Sequence, residues 1–318
     1  MKIIYNDIFL QHNTGNHPEN KNRLLAFGDI SQSTIIDGTP YLSLVHNGQY
    51  ISDVQQKCNL DIPLDPDTQC SVQSFETAVN AVGATVMAAE NGDFALVRPP
   101  GHHAYPGKGT GFCIFNNIAI AAMKLASEGK KVAIIDIDGH FGDGTSKVFY
   151  EMDNVMYMSL HQFPAFPGDG YWTDIGSGRG EGYNINIPLP PYSGDDIFLD
   201  AFNTFLPVIR QFKPDVVAVS AGFDTHKSDM LLQLNVSLDS YYKIGKILKE
   251  NFENIFAVLE GGYNPDILVK SVYNFIAGIN GEKIVYSERH SESDVKIFQT
   301  YDNYCNNLIV KLREYWKF

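Results

Sequence analysis

Short apolar runs punctuate the chain at residues 94–98, 132–137, 155–160, 215–220 and 255–259. Each has the length of a strand and is apolar nearly throughout, so each predicts a strand covered on both faces, as in a parallel sheet. The segments between them follow a helical period. Phe75, Val79, Val82 and Val86 fall on one stripe. Ile244, Ile247 and Leu248 do the same behind Ser237, a residue type that caps helix N-termini. Strand–helix alternation predicts an α/β fold, with one parallel sheet flanked by helices on both faces. Residues 281–294 are polar and predict a loop leading to a terminal helix near 296–316. No repeat or linker interrupts the chain, so residues 1–318 read as a single domain with a C-terminal extension from about 281.

Composition narrows the functional classes. Lys and Arg number 24 against 37 Asp and Glu, a formal net charge of −13. Such a chain is a poor partner for nucleic acid, whose phosphates demand dense Lys and Arg, and it attracts cationic substrates instead. No apolar run approaches the roughly 18 residues of a membrane-spanning helix. The first residues, Met1-Lys2-Ile3-Ile4-Tyr5, show no apolar block with a small-residue cleavage site, which leads us to expect a cytoplasmic protein. Cys58, Cys70, Cys113 and Cys305 form no C-x-x-C pair, so neither a cysteine zinc site nor a disulfide framework is expected.

In open α/β sheets ligands bind beyond the carboxyl ends of the strands. The residues just past the apolar runs are rich in metal-ligand and acid–base types. Asp136-Ile137-Asp138-Gly139-His140 follows one run, and continued strand alternation would put Asp136, Asp138 and His140 on one side. Two carboxylates and an imidazole gathered in an apolar setting call for a divalent cation, zinc or a similar first-row metal. Solvated aspartates in a turn are the plainer alternative. Arg98-Pro99-Pro100-Gly101-His102-His103 follows another run, its histidines either an acid–base pair, ligands or exposed loop residues. Asp224, in Ser220-Ala221-Gly222-Phe223-Asp224, is a ligand or a helix cap. Tyr263, in Leu259-Glu260-Gly261-Gly262-Tyr263-Asn264, is an oxyanion donor or a core aromatic. Together, three ligands with an open position, a neutral histidine and a phenol suit metal-assisted hydrolysis of an amide.

With these motifs in place, the sequence resembles the zinc-dependent histone deacetylase family of the arginase–deacetylase superfamily. The likeness runs from near residue 12 to near residue 275. It includes His12-Asn13-Thr14-Gly15-Asn16-His17-Pro18-Glu19 with Arg23, Gly111-Phe112-Cys113-Ile114-Phe115-Asn116-Asn117 and Ser159-Leu160-His161-Gln162, besides the motifs already quoted. Pro-Pro-Gly-His-His and Leu-Glu-Gly-Gly-Tyr look most like the class II branch. The resemblance implies that Asp138, His140 and Asp224 bind zinc, or ferrous iron. It implies His103 as general base, His102 as its electrostatic partner, and Asp136 and Asp143 as the carboxylates that orient them. Tyr263 matches the tyrosine that donates to the substrate carbonyl, and Phe112 and Phe166 match the walls of an acyl-lysine tunnel with Leu231 near its rim. The family also binds structural potassium. Asp136, Ser159 and Leu160, with main-chain oxygens of Asp138 and His140, match the inner site. Phe149, Met152, Val155 and Tyr183 match the outer one, and sodium would suit the same ligands.

Three departures stand out: Phe141 where many members have a second histidine, Asp229-Met230 where Asp-Pro is usual, and the polar His226 and Lys227 beside it. The resemblance implies an enzyme that removes acetyl or another short acyl group from lysine side chains of proteins or peptides. The rival is a deacetylase of N-acetylated polyamines or other small acylated amines, which the acidic charge suits equally. A silent acyl-lysine binder is a third class, weakened because every catalytic residue type is present.

Overall fold

The computed structural model describes residues 1–318. Seven strands form one parallel sheet: β1 (Ile3–Ile4), β2 (Phe94–Ala95), β3 (Val132–Asp136), β4 (Val155–Gln162), β5 (Asn184–Leu189), β6 (Val216–Ala221) and β7 (Ile255–Leu259). Their order is β1-β2-β7-β6-β3-β4-β5. The helices are α1 (Asn22–Leu25), α2 (Gly48–Asn59), α3 (Ser74–Asn91), α4 (Asn117–Ser127), α5 (Asp143–Phe149), α6 (Asp195–Phe212), α7 (Leu238–Asn251), α8 (Pro265–Asn280) and α9 (Val295–Leu312). Helices α3 and α4 cover one face, and α6, α7 and α8 the other. The chain leaves β3 toward β4 on one side but leaves β6 toward β7 on the other. The sheet therefore reverses its winding between β3 and β6, the place where open α/β sheets form a ligand crevice.

Of the strands expected from the apolar runs, β3, β4, β6 and β7 fall within one or two residues of their predicted bounds. The run at 94–98 is paired only at Phe94 and Ala95, with β1 on one side and β7 on the other. Strand β5 was not expected. Its Asn-Ile-Asn-Ile-Pro-Leu sequence alternates and contains a proline, which a strand bonded only to β4 tolerates at the sheet edge.

The α3 stripe is buried, but not against the sheet. Val79, Val82 and Val86 join Tyr50, Val54 and Phe115 in a smaller core under α2, while Ala81, Ala84 and Ala88 meet the sheet. Small side chains there let the helix approach the strands closely. Ser237 does precede α7, yet its Oγ makes no hydrogen bond. The capping work falls to carboxylates from elsewhere: Glu288 Oε2 accepts from the Leu238 N–H (3.0 Å) and Asp195 Oδ1 from the Ser237 N–H (2.8 Å).

Those contacts involve the polar stretch between α8 and α9, which lies as a strap across the fold. Ser291 N–H donates to Asp195 Oδ2 (2.8 Å) and the Ser293 hydroxyl to Asp196 Oδ1 (2.7 Å). Glu288 pairs with both His226 (2.9 Å) and Lys227 (2.6 Å), which places the two polar residues noted beside Asp224. Helix α9 then packs on β5 and α6, with Tyr301, Leu308 and Leu312 in the main core. No helix is long and apolar enough to cross a membrane.

Candidate active site

Asp138 and Asp224 follow β3 and β6, the strands that flank the reversal of winding. The strand does not continue to His140 as alternation would require. β3 ends at Asp136, and the chain turns: Asp136 Oδ1 accepts the Asp138 N–H (3.1 Å) and Asp138 Oδ1 accepts the His140 N–H (2.8 Å). This turn brings His140 Nδ1 to 2.7 Å from Asp224 Oδ2 and 3.3 Å from Asp138 Oδ1. Asp136 is not part of that group. Its Oδ2 instead accepts from His102 Nδ1 (3.1 Å) and the Tyr157 hydroxyl (2.9 Å).

Asp138, His140 and Asp224 each offer a ligand atom within 4.8 Å of the others, and all three are buried. Backbone N–H groups satisfy part of each carboxylate, Gly261 donating to Asp138 Oδ2 and Gly139 to Asp224 Oδ1, both at 2.7 Å. A Cβ at Gly261 would lie 2.5 Å from Asp224 Oδ2, so only glycine lets this backbone close over the acids. Burial and the Asp138 carboxylate push the Asp224 carboxyl above its usual range, although His140 opposes them. Two sealed carboxylates with one imidazole lack positive charge, and nitrogen and oxygen donors at this spacing fit a divalent cation.

Beside this group lie two histidines with ring centroids 4.0 Å apart. His103 Nδ1 donates to Asp143 Oδ1 (2.7 Å), whose other oxygen accepts from the Tyr105 hydroxyl (2.9 Å). Burial and the neighbouring His102 lower the His103 pKa to about 4 against the pull of Asp143, so this imidazole is neutral. Burial also works against the charged form of His102, but Asp138, Asp136 and Glu260 outweigh it and raise its pKa. The two rings thus hold opposite protonation states, the arrangement acid–base pairs need. Glu260, at the end of β7, carries the backbone of this pair. Its Oε2 accepts from the Gly101 (2.7 Å) and His102 (3.1 Å) N–H groups.

Tyr263 stands opposite, on a turn held from below by a buried ion cluster. Arg23 Nε donates to the Gly262 carbonyl (2.7 Å) and Nη2 to that of Glu260 (2.5 Å). Arg23 Nη1 and Arg98 Nη2 both bond Glu19, at 3.1 and 2.7 Å. The Arg23 guanidinium also lies 5.1 Å from the centre of the Tyr263 ring.

These groups border a cavity of about 420 Å³ lined by His103, His140, Phe112, Phe166, Leu231 and Tyr263. The Phe112 ring meets Tyr263 edge-on at 5.7 Å, and Phe166 meets His103 edge-on at 5.1 Å. Phe112 holds φ at 71°, a rare conformation for a bulky residue. A Cβ at Gly111 would lie 2.6 Å from the His103 ring, so the wall packs directly on the histidine. Phe166 and Leu231 are partly exposed and form the mouth. His17, Pro18 and Asp67 complete the lining. His17 and Pro18 belong to a motif visible in the sequence, whereas Asp67 sits in a loop with several acids and no pattern to distinguish it.

The residues matched to monovalent-cation sites fall into two places. Asp136 pairs in register with Ser159, next to Leu160 on β4. Phe149, Met152 and Val155 span the connection from α5 to β4, and Tyr183 precedes β5, its carbonyl accepting the Tyr157 N–H (2.9 Å).

A parallel sheet that gathers acids, histidines and a tyrosine at its winding reversal defines a hydrolytic enzyme of arginase/deacetylase-like fold. Comparison with known proteins gives the family. The family model of the histone deacetylase domain matches residues 17–279. A probable deacetylase of Archaeoglobus fulgidus is 35% identical over 83% of this chain and 81% of its own. Histone deacetylase 14, chloroplastic, of Arabidopsis thaliana is 34% identical over 84% of this chain and 68% of its own. The crystal structure of the HDA15 HD domain superposes with a TM-score of 0.89 at 29% identity, covering 99% of this chain and 94% of that one. The chain belongs to the histone deacetylase family, and it is a deacetylase.

Proposed function

We propose that this deacetylase is zinc-dependent and removes acetyl or another short acyl group from N-acylated lysine side chains. The observation that carries the reading is the convergence of Asp138, His140 and Asp224 beside a cavity walled by Phe112 and Phe166. In this reading those three residues hold zinc, with ferrous iron suited to the same donors. The bound ion supplies Lewis acidity toward the acyl carbonyl and the attacking water. Every other step belongs to side chains. His103 is neutral and fixed at Nδ1 by Asp143, which leaves Nε2 to take the proton from water and return it to the leaving amine. His102, held by Asp136, stays cationic and favours the developing negative charge. The Tyr263 phenol donates to the carbonyl oxygen as it becomes an oxyanion. Burial and the acids around it push the Tyr263 pKa up, so the phenol keeps its proton.

Phe112 and Phe166 offer an apolar slot for the methylene stem of acyl-lysine, with Leu231 at the rim. Asp136, Ser159 and Leu160, and separately Phe149, Met152, Val155 and Tyr183, enter the same reading as ligands of structural potassium or sodium. A second substrate class is favoured by one observation: the net charge of −13 suits a cationic N-acetylated polyamine. The two are separated by measuring kcat/KM of the zinc-loaded protein on an acetyl-lysine peptide and on an N-acetylated polyamine side by side. We expect the peptide to be preferred. Preference for the polyamine would overturn the substrate class and leave the chemistry in place.

A further inference from the structure

The backbone leading into Tyr263 is held at Glu260 and Gly262 by Arg23 and at Gly261 by Asp138, which leaves the amide of Tyr263 itself to be fixed. Two consecutive glycines precede it, and Gly262 holds φ at 114°. The residue that bears the phenol takes its own backbone contact from a different loop. Asp229, in the loop after Asp224, reaches across to it: its Oδ2 accepts the Tyr263 N–H at 2.6 Å. Its Oδ1 accepts the Leu231 N–H at 3.0 Å. Leu231 lines the cavity mouth on a loop whose neighbour Met230 is 66% exposed, so little packing fixes it from the solvent side. One carboxylate therefore spans the turn that carries the phenol and the loop that carries the wall.

We propose that Asp229 is a positioning residue that sets Tyr263 and the Leu231 wall together, coupling acyl-chain fit to the placement of the oxyanion donor. The inference rests on the role given above to Tyr263. No other residue type does this as well at the same reach. Alanine removes both acceptors. Asparagine keeps one and turns an N–H donor toward the other backbone N–H.

The test is a double-mutant cycle on zinc-loaded protein, with kcat and KM measured separately on an acetyl-lysine peptide and zinc content and thermal midpoint recorded for each variant. Tyr263→Phe should lose about 100–1000-fold in kcat, the typical effect of one oxyanion donor. Asp229→Ala should lose about 10–100-fold in kcat, the scale of a misplaced catalytic group, and raise KM while keeping its zinc. The double variant should be no slower in kcat than Tyr263→Phe alone, because Asp229 acts on that step through the phenol, and should keep the raised KM. Asp229→Asn should fall between wild type and alanine, and it carries the test if the alanine variant does not fold.

Additive losses in kcat, or an Asp229→Ala enzyme with normal kcat, would overturn the coupling to Tyr263. A normal KM beside a lowered kcat would overturn the Leu231 half. Near-normal turnover of Tyr263→Phe would instead remove the catalytic role of the phenol, and the proposal with it.

Discussion

Two buried charge clusters lie on either side of the Leu259-Glu260-Gly261-Gly262-Tyr263 turn, and they treat their charges in opposite ways. Behind the turn, Glu19 is sealed with Arg23 and Arg98, and all three are at most 1% exposed. Burial pushes the Glu19 carboxyl up, but Arg98 and Arg23 overcome it and hold its pKa down at about 2. In front of the turn, Asp138 and Asp224 are equally sealed, with His140 between them and His102 at 3.9 Å from Asp138 but already held by Asp136, and Asp224 is still pushed up. The carboxylate of the first cluster is compensated by the protein itself, with one guanidinium in excess, so the cluster needs no cation from outside; it serves as scaffold and holds Glu260 and Gly262 by their carbonyls. The second is left short of positive charge and is built to receive it from outside. Burial alone therefore does not distinguish a functional charge from a structural one. The balance of charge within the cluster does.

The comparison breaks most completely at the uncompensated cluster. Asp138→Ala or Asp224→Ala should lose the metal itself and with it all measurable deacetylation, read by elemental analysis of the purified protein alongside turnover. Stoichiometric zinc in either variant would show that the ligands are misassigned. At the compensated cluster, Glu19→Ala should leave two guanidinium groups buried with carbonyl partners but no counter-charge. The expected cost is about 3–5 kcal/mol of folding stability, read by urea denaturation. A variant as stable as wild type would mean that the arginines find other partners and that the cluster is no scaffold.

A smaller effect concerns a buried group that carries no charge at all. His46 Nε2 accepts the Asn116 N–H (2.9 Å) and Nδ1 donates to the Tyr105 carbonyl (3.0 Å), so the ring is held neutral. Burial lowers its pKa from 6.5 to about 4. The unfolded chain then binds the proton first, so the stability this group contributes is present above pH 6.5 and is lost as pH falls toward 4. The urea midpoint should drop between pH 7 and pH 5, and His46→Gln should lessen the drop. It should not abolish it, because burial displaces His12 and His161 the same way. An undiminished drop in His46→Gln would exclude His46 as a source.

Much of this was legible from the sequence because the interior of a parallel sheet leaves a simple trace. The four strands β3, β4, β6 and β7 are apolar on both faces, and the residues that follow them carry the chemistry. Strand β5 was hidden by its edge position, where alternation and Pro188 are tolerated. The grouping of Asp136 with Asp138 and His140 failed because an Asp-mediated turn, not a strand, delivers His140 to Asp224. The contacts of Asp229 with Tyr263, of Glu260 with Gly101 and His102, and of Glu288 with Leu238 left no sequence trace, since each is a side chain accepting from a backbone N–H far away in the chain. Residue identity says nothing about which distant amide a carboxylate will meet.

The strap between α8 and α9 has a practical consequence for what counts as the domain. The family match stops at residue 279. Yet Glu288, Ser291 and Ser293 lie past that limit and bond to His226, Asp195 and Asp196. A protein trimmed to the matched boundary would leave a buried histidine two residues from Asp224 without its acid, and the start of α7 without one of its two carboxylate acceptors. The smallest unit that can be cut out, swapped or grafted therefore extends well beyond the segment that identifies the family.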